Sequence, residues 1–302
     1  MPRAGVSLVV LALVTAALSC EAQDLEPRAY TNTPVGLNFL ILGYGYTQGD
    51  VAFDASAPIE NAKLTAHSAV LGYSHAFGVW GRSAKLDVVL PYAWVSGSAD
   101  VAGQRRDRYV HGFGDPRVRV SALLYGAPAL TLAEFDDYHP DFIVGASLAV
   151  TLPVGQYDQD KIVNIGTNRW SFKPEFGISK TFGPVTLELV PSVTFYTDNN
   201  DFLGGGTLEK DPLYAVQGHV IYHTRFGLWA AVDVTYYTGG TTTTNGERGE
   251  RAENLRVGAT LALPVSRHHS VKLFGSTGAI TRVGGDFTTV GIAWQFRFGG
   301  GL

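Results

Sequence analysis

The chain has 302 residues, of which 45% are hydrophobic and 17% are charged, and its formal net charge is -4. A composition this apolar can bury a large core and is not that of a disordered chain. The acidic balance and the lack of a basic tail argue against a nucleic-acid binder, which would carry a strongly basic surface. We therefore expect a folded protein without a nucleic-acid partner.

The first 22 residues have the features of an export signal. Arg3 precedes the apolar run VSLVVLALVTAAL, and small residues at Cys20 and Ala22 suit cleavage after Ala22. In an alternative interpretation Cys20 is the lipidated cysteine of a lipoprotein, although Leu18 and Ser19 fit that pattern poorly. Because Cys20 is the only cysteine, cleavage leaves no thiol for a disulfide, a zinc site or a nucleophile.

Segments of alternating apolar and polar residues follow the signal. No stretch approaches the roughly 18 apolar residues of a membrane-spanning helix. Instead, segments of about ten residues alternate and end at Gly, Asn, Asp or Pro. The clearest are VTLELVPSVTFY, residues 185–196, and LWAAVDVTYY, residues 228–237. The first two segments alternate weakly, and the roughly twelve segments start near residues 37, 64, 84, 114, 141, 168, 185, 213, 228, 254, 270 and 287.

The connections between these segments alternate in length. TFGPV, TRFGL and VSRHH are tight, whereas GQYDQDKIVNIGT and TGGTTTTNGERGERAE are long and polar, and YGAPALTLAEFDDYHP is an exception in the short set. Outer-membrane barrels have short periplasmic turns and longer extracellular loops. The sequence therefore predicts an all-β fold, a transmembrane antiparallel β-barrel of about 12 strands in the Gram-negative outer membrane. We expect a signal peptide at 1–22, a periplasmic N-terminal segment at 23–36 and the barrel at 37–302.

Aromatic residues near segment ends separate this barrel from a soluble β-sandwich, which also has alternating strands. In a barrel such rings form girdles in contact with lipid at the headgroup level. We predict girdle positions at Tyr92, Trp94, Trp170, Tyr236, Trp294 and Phe298. The last segment, TVGIAWQFRFGGGL, would then face lipid with its apolar side and close the barrel by pairing with the first strand.

Several stretches resemble a known family. DLEPRAYTNTPVGLNF, GFGDPRVRVSALLYGAPAL, GASLAVTLPVGQYD, NIGTNRWSFKPEFG, DVTYYTGG and AWQFRFGGGL are similar to the family named "putative meta-pathway of phenol degradation", outer-membrane barrels of Gram-negative bacteria. The resemblance spans essentially the whole mature chain and implies a transporter or channel, not an enzyme. The chain departs from many outer-membrane proteins by continuing with GGGL after Phe298, where the barrel assembly machinery would bind.

The polar side of each strand would face the lumen if the apolar side faces lipid. Charged residues at membrane depth are tolerated when they line water or pair with one another. Since a small barrel also fills its lumen with side chains, a salt-bridged, plugged interior is the alternative to a pore. The predicted pore-lining positions are Asp87, Arg117, Arg119, Lys173, Glu175, Glu188, Gln217, His219, His223, Asp233, Arg256, Gln295 and Arg297.

The size of the predicted ring suits a small solute. Strands about 4.8 Å apart and tilted by about 40° give a ring of roughly 24 Å, of which about 10 Å remains inside the side chains. Small inward residues favour an open lumen, namely Gly145, Ala149, Ala231, Gly258 and Ala262. Residues 23–36 could constrict it. We predict a channel for small solutes such as aromatic or other small carboxylates. The basic residues early in the descending strands predict a weak preference for anions.

No cofactor and no catalytic or metal site is predicted. An outer-membrane phospholipase needs Ser and His together, but neighbours such as His67 and Ser68, or Ser74 and His75, point to opposite faces of a strand. His67, His75, His219 and His223 lack a tight metal-ligand spacing with a carboxylate. The alternative to a channel is a barrel without transport, structural or enzymatic.

Two local motifs have simple interpretations. GFGDP, residues 112–116, and GGG, residues 204–206, are not followed by Lys-Ser/Thr and a helix, so they are turns and not phosphate loops. The basic run 104–108, QRRDR, is expected in an external loop, where its arginines could contact lipopolysaccharide phosphates.

Overall fold

The computed structural model describes residues 26–52, 59–101, 104–161, 163–282 and 284–302. The predicted signal peptide, residues 1–22, lies outside this part of the chain. The described ranges contain a short 3-10 helix, Glu134–Asp137. None of their helices has the length and apolar character that crossing a membrane requires.

Strands make up most of the described chain. The first eight are β1 (Leu37–Ala52), β2 (Ile59–Val79), β3 (Arg82–Val101), β4 (Gln104–Phe113), β5 (Arg117–Tyr125), β6 (Phe142–Thr151), β7 (Ser171–Phe182) and β8 (Val185–Tyr196). The others are β9 (Asn199–Phe202), β10 (Gly206–Lys210), β11 (Leu213–His223), β12 (Trp229–Gly239), β13 (Thr242–Thr244), β14 (Glu247–Arg248), β15 (Ala252–Pro264), β16 (His269–Thr281) and β17 (Gly284–Gly299). Four short ones, β9, β10, β13 and β14, form a separate sheet.

The remaining strands form one closed antiparallel barrel. β4 and β5 both pair with β3, one along each half of it, and act as a single wall strand interrupted at 114–116. Pro116 has no N–H to donate to a ladder, and Asp115 accepts hydrogen bonds from the backbone N–H groups of Gly155 and Thr167 at 2.8 and 2.7 Å. Counted this way, the barrel has 12 strands, which confirms the predicted fold class.

The first and last strands close the ring. β1 pairs with β17 along its whole length, from Leu37 opposite Gly299 to Ala52 opposite Gly284, and pairs with β2 on its other side. A closed ring leaves no strand edge without a partner, which is the condition for a sheet surrounded by lipid. The predicted pairing of the terminal strands is therefore present.

The connections divide between two ends of the barrel. We call the end with the short connections, such as 80–81 and 183–184, the turn end; the connection 126–141 is its long exception. The opposite end, which includes the small sheet β9, β10, β13 and β14, is the loop end.

One predicted loop is wrong. The basic run 104–108 lies in β4, where Arg105 pairs in register with Asp100 of β3. The outward part of this hairpin is exposed on both faces, as the burial of β4 shows. A strand that projects beyond the apolar outer surface of the barrel needs no apolar face. Its sequence is therefore as polar as that of a loop, although its backbone is paired in a β-ladder.

Alternation separates the two surfaces of the wall. In β7 and β11 nearly every second side chain is buried and the intervening ones are exposed. The exposed positions are large apolar residues such as Phe172, Phe176 and Val220. The buried positions of the same strands include Lys173, Glu175 and other charged side chains, so the apolar surface lies outside and the charged surface inside.

We predict that the aromatic rings on β17 stabilise the seam. Trp294, Phe296 and Phe298 lie on one face with ring centroids 6.2 and 5.5 Å apart. Replacing all three by Ser removes about 1.5 kcal/mol or more of apolar stabilisation per ring. The folded, heat-modifiable band on a gel should disappear.

The matched control for this triple variant is Gln295→Ser, on the same strand but the opposite face, and it should retain the heat-modifiable band. An unchanged band in the triple variant would show that these rings do not hold the seam.

Candidate functional site in the barrel lumen

The predicted pore-lining residues lie mainly on the inner surface. Arg119, Lys173, Glu175, Glu188, His219, Asp233 and Arg256 are buried inside the barrel, and Asp87, Arg117 and His223 are half-buried there. They come from β3, β5, β7, β8, β11, β12 and β15. Because successive residues of a strand point to opposite sides, the apolar residues that face outward determine which residues face inward.

Arg297 does not belong to this group. Its backbone N–H donates to the carbonyl of His268, and its Nε donates to the carbonyl of Arg267 in the turn 265–268. It therefore ties β17 to a connection at the turn end instead of lining the middle of the lumen. Asp87 lies directly opposite Arg119 in the β3–β5 register, so it shares the level of the basic residues.

The predicted girdle residues lie on the outer surface. Toward the loop end, Tyr92 and Trp94 have ring centroids 4.6 Å apart, and Tyr92 also bonds His111 at 2.9 Å. Trp170 and Tyr236 lie toward the same end of β7 and β12, whereas Trp294 and Phe298 lie at the turn end of β17. The rings thus occupy both ends of the outer wall.

Residues 26–36, which we call the N-terminal segment, lie inside the barrel. The backbone N–H of Gly36 donates to Ala76 and that of Val35 to Leu130, both at 2.8 Å, which fixes the segment at the turn end. From there the chain runs into the lumen, where Tyr30 is 0% exposed. The segment predicted to lie on the periplasmic side therefore packs within the barrel over residues 26–36, and the small inward residues of β6 and β7 do not all border open space.

The tip of the N-terminal segment joins a cluster of ion pairs. Arg117 Nη2 lies 2.9 Å from Glu26 Oε1, and Arg119 binds the other oxygen of the same carboxylate. Arg119 Nε also lies 3.4 Å from Glu175, whose other oxygen is 3.0 Å from Lys173 Nζ. These pairs join three cations to two carboxylates. Glu26 therefore brings negative charge to a wall that is otherwise mainly basic at this level.

Electrostatics keep the Glu26 carboxyl ionised. Burial would raise its pKa, but the positive charges of Arg119, Arg117 and Lys173 outweigh burial and hold that pKa well below its ordinary value. A carboxyl whose pKa is lowered in the folded state stabilises the fold above its ordinary pKa and loses that effect only as the pH falls toward the lowered value. The Glu26 contact is therefore intact at neutral pH.

Tyr30 occupies a slot whose floor is formed by two glycines. Gly145 of β6 and Gly177 of β7 are directly opposite each other, and a Cβ placed on them would lie 2.5 and 2.1 Å from atoms of the Tyr30 ring. The ring packs with Leu123 and Val190 in one buried cluster. Burial raises the pKa of the Tyr30 hydroxyl to about 12, so the phenol stays protonated.

A second polar group lies on the neighbouring strands. Glu188, His219 and Asp233 are adjacent across β8, β11 and β12, and His219 Nδ1 bonds Asp233 Oδ1 at 2.6 Å. Beyond them, Arg256 Nη2 donates to the carbonyl of Phe287 at 2.9 Å, across β16. The charged surface therefore continues around much of the inner wall.

The Ser and His neighbours have other partners. His67 Nδ1 bonds the Tyr44 hydroxyl at 2.6 Å, while Ser68 donates to the carbonyl of Gly45. His75 Nδ1 bonds Asn38 Oδ1 at 2.9 Å. These contacts do not bring a serine and its neighbouring histidine into a nucleophile–base pair.

We predict that Glu26 anchors the tip of the N-terminal segment. Replacing it by Gln removes the charge that binds Arg117 and Arg119, and charge-assisted hydrogen bonds contribute about 1.5 to 3 kcal/mol each. Amide hydrogen exchange of residues 28–31 should accelerate by about tenfold or more. Mass spectrometry of the folded protein in detergent measures it.

Glu253→Gln is the matched control, because Glu253 also binds two arginines, Arg251 and Arg282, but at the loop end. Exchange in residues 28–31 should not change in this variant. Equal rates in the wild type and in Glu26→Gln would mean that the carboxylate does not hold the segment.

The fold is shared with solved outer-membrane barrels. The crystal structure of the COG4313 outer membrane channel from Pseudomonas putida F1 superposes with a TM-score of 0.78, at 23% identity over 91% of this chain and 100% of that one. The β domain of the Bordetella autotransporter Brka (TM-score 0.52, 10% identity, 87% and 100% coverage) and the transport unit of the autotransporter AIDA-I from Escherichia coli (0.53, 10%, 94% and 96%) are also similar. At these identities the likeness shows the fold.

Sequence comparison identifies the family. No curated protein matches the chain. The family model described as "Putative MetA-pathway of phenol degradation" matches residues 45–297, most of the barrel. The chain therefore belongs to this family, as the resemblance in the sequence predicts.

Proposed function

We propose that the protein is an outer-membrane channel through which small solutes cross. The observation that carries the proposal is the two-sided wall: charged side chains such as Arg119, Glu188 and Asp233 are buried inside, while large apolar side chains cover the outside. A soluble sandwich would place apolar residues inside. A wall with charge inside and apolar surface outside suits a membrane pore filled with water.

The ion pairs of the lumen favour anionic solutes. Arg117, Arg119 and Lys173 face the lumen in the parts of β5 and β7 nearer the loop end. Glu175 is the wall carboxylate that joins Arg119 and Lys173. Lys85 and Asp87 of β3 add one charge of each sign. Without Glu26 the wall would therefore be basic here, and basic rings in pores favour anions. Small carboxylates, including aromatic ones, are the solutes that we propose.

A barrel without transport is the second candidate. It is favoured by the N-terminal segment, which enters the lumen from the turn end and whose Tyr30 is fully buried. Under this interpretation the ion pairs of Glu26 serve stability alone. The two candidates differ in whether the segment leaves the lumen.

Partners follow from the same architecture. We propose that the outer aromatic rings contact membrane lipid, that lipopolysaccharide phosphates contact the exposed Arg105 and Arg106 of β4, and that the assembly machinery engages β17. A signal peptide cleaved after Ala22 would deliver the chain to this membrane.

We predict that the N-terminal segment limits conductance. In a planar bilayer, a variant without residues 26–32 should conduct several-fold more than the wild type, because the lumen widens and the Glu26 charge is lost. Its reversal potential in a salt gradient should shift toward anion preference. Adding Arg117→Ala and Arg119→Ala should reverse that shift.

Arg105→Ala with Arg106→Ala is the control pair, since these arginines are exposed on β4 outside the lumen, and it should leave the reversal potential unchanged. No conductance from any variant, with a heat-modifiable band to show folding, would refute the channel and favour the sealed barrel.

A further inference from the structure

We propose that the part of the inner wall that holds Glu26 and Tyr30 is a binding site for a solute carrying both a phenol and a carboxylate. We call it the Tyr30 site and define it by Arg117, Arg119, Gly145, Ser147 and Gly177. The proposal rests on the proposed function in one respect, that solutes enter the lumen. In the closed protein the N-terminal segment occupies the site with its own phenol and carboxylate.

The two glycines give the site its shape. Gly145 and Gly177 form a cross-strand pair in the middle of β6 and β7, where glycine weakens a strand and usually marks a close approach of another group. A Cβ at Gly177 would lie 2.1 Å from the Tyr30 ring. The absence of both side chains thus leaves room for an aromatic ring against the wall, with Leu123 beside it.

Ser147 selects a hydroxyl group. Its Oγ donates to Glu175 Oε2 at 2.8 Å and lies 3.1 Å from the Tyr30 hydroxyl. A serine has one hydrogen to donate, so the Tyr30 hydroxyl donates to Ser147. A ring without a hydroxyl would leave this buried acceptor unsatisfied, which costs binding energy.

Arg119 joins the two halves of the site. Its guanidinium binds the Glu26 carboxylate, and its Cζ lies 5.8 Å from the centre of the Tyr30 ring. Arg117 holds the other carboxylate oxygen at 2.9 Å. A single small molecule with a carboxylate a short chain away from a phenol ring can therefore make both contacts.

The tip of the N-terminal segment can leave without breaking the barrel. Between Glu26 and Thr31 it forms no ladder with any strand, and its own backbone bonds, Ala29 to Glu26 and Thr31 to Arg28, are long at 3.3 Å. Arg28 adopts a φ of 71°, a left-handed backbone conformation that is strained for any residue other than glycine. Side-chain contacts thus hold this tip: those in the Tyr30 site, the hydrogen bond from Lys85 Nζ to the carbonyl of Ala29 at 2.9 Å, and the stacking of Arg28 over the Trp229 ring. A solute can compete for the contacts in the Tyr30 site.

The test uses 4-hydroxyphenylacetate titrated calorimetrically into folded protein in detergent. The variant Glu26→Gln with Tyr30→Ala, which we call the emptied variant, should bind at least about tenfold tighter than the wild type, because the internal competitor is gone. Adding Gly177→Ala should weaken that binding about tenfold or more, because the new methyl group lies in the slot. Gly218→Ala, an outward glycine of β11, is the matched control and should have no effect.

Two further ligands test the chemistry. Phenylacetate lacks the hydroxyl and 4-methylphenol lacks the carboxylate, so each should bind the emptied variant at least about tenfold more weakly. Equal binding of all three, binding no tighter than in the wild type, or no effect of Gly177→Ala would overturn the proposal.

The wild-type protein gives a test that needs no variant. Saturating 4-hydroxyphenylacetate should accelerate amide exchange in residues 28–31, because the solute displaces the segment, and unchanged exchange would contradict the site. Conductance separates this proposal from the channel: binding without conductance in the emptied variant refutes only the channel, whereas conductance without binding refutes only the site.

Discussion

The architecture depends on the closure of the sheet between β1 and β17. In lipid no water is available for unpaired backbone groups, so a spanning sheet must pair every strand on both sides. The register from Leu37 opposite Gly299 to Ala52 opposite Gly284 meets this condition at the seam. Once the ring is closed, the two-residue period of each strand assigns one face to lipid and the other to the lumen. The position of the charged residues is a consequence of that assignment.

The barrel was predictable from the sequence where this period is strong. β8 and β12 alternate over their whole length, and both begin within one residue of the predicted start. The outward part of β4 escaped prediction because it projects beyond the apolar outer surface, where both of its faces lie in water and the sequence carries no alternation to detect. The N-terminal segment escaped for a different reason. Its position depends on contacts between Glu26 or Tyr30 and wall residues about a hundred positions away, and no local pattern encodes such pairs.

Most of the inner wall was also predictable, because the face on which a side chain lies follows from its odd or even position along the strand. This alternation does not reveal whether the space in front of a side chain is filled. Gly145 indicated open lumen in the sequence, yet in the structure it makes room for the Tyr30 ring. A small inward residue is equally consistent with water and with a group packed against it. A cross-strand pair of glycines, Gly145 with Gly177, is the more specific signal. Two glycines side by side weaken a sheet unless another group packs against them, so the pair indicates such a group.

The N-terminal segment couples the width of the lumen to its charge. A neutral segment would narrow the pore and leave its field unchanged, but Glu26 removes one net positive charge from the level of Arg117 and Arg119 at the same time. In the channel that we propose, release of the tip would therefore have two effects together: it would widen the path and restore the basic wall. An anion would gain from both effects, whereas a cation would gain only the wider path and would meet a less favourable field. In that proposal one contact links the width of the lumen to a preference for anionic solutes.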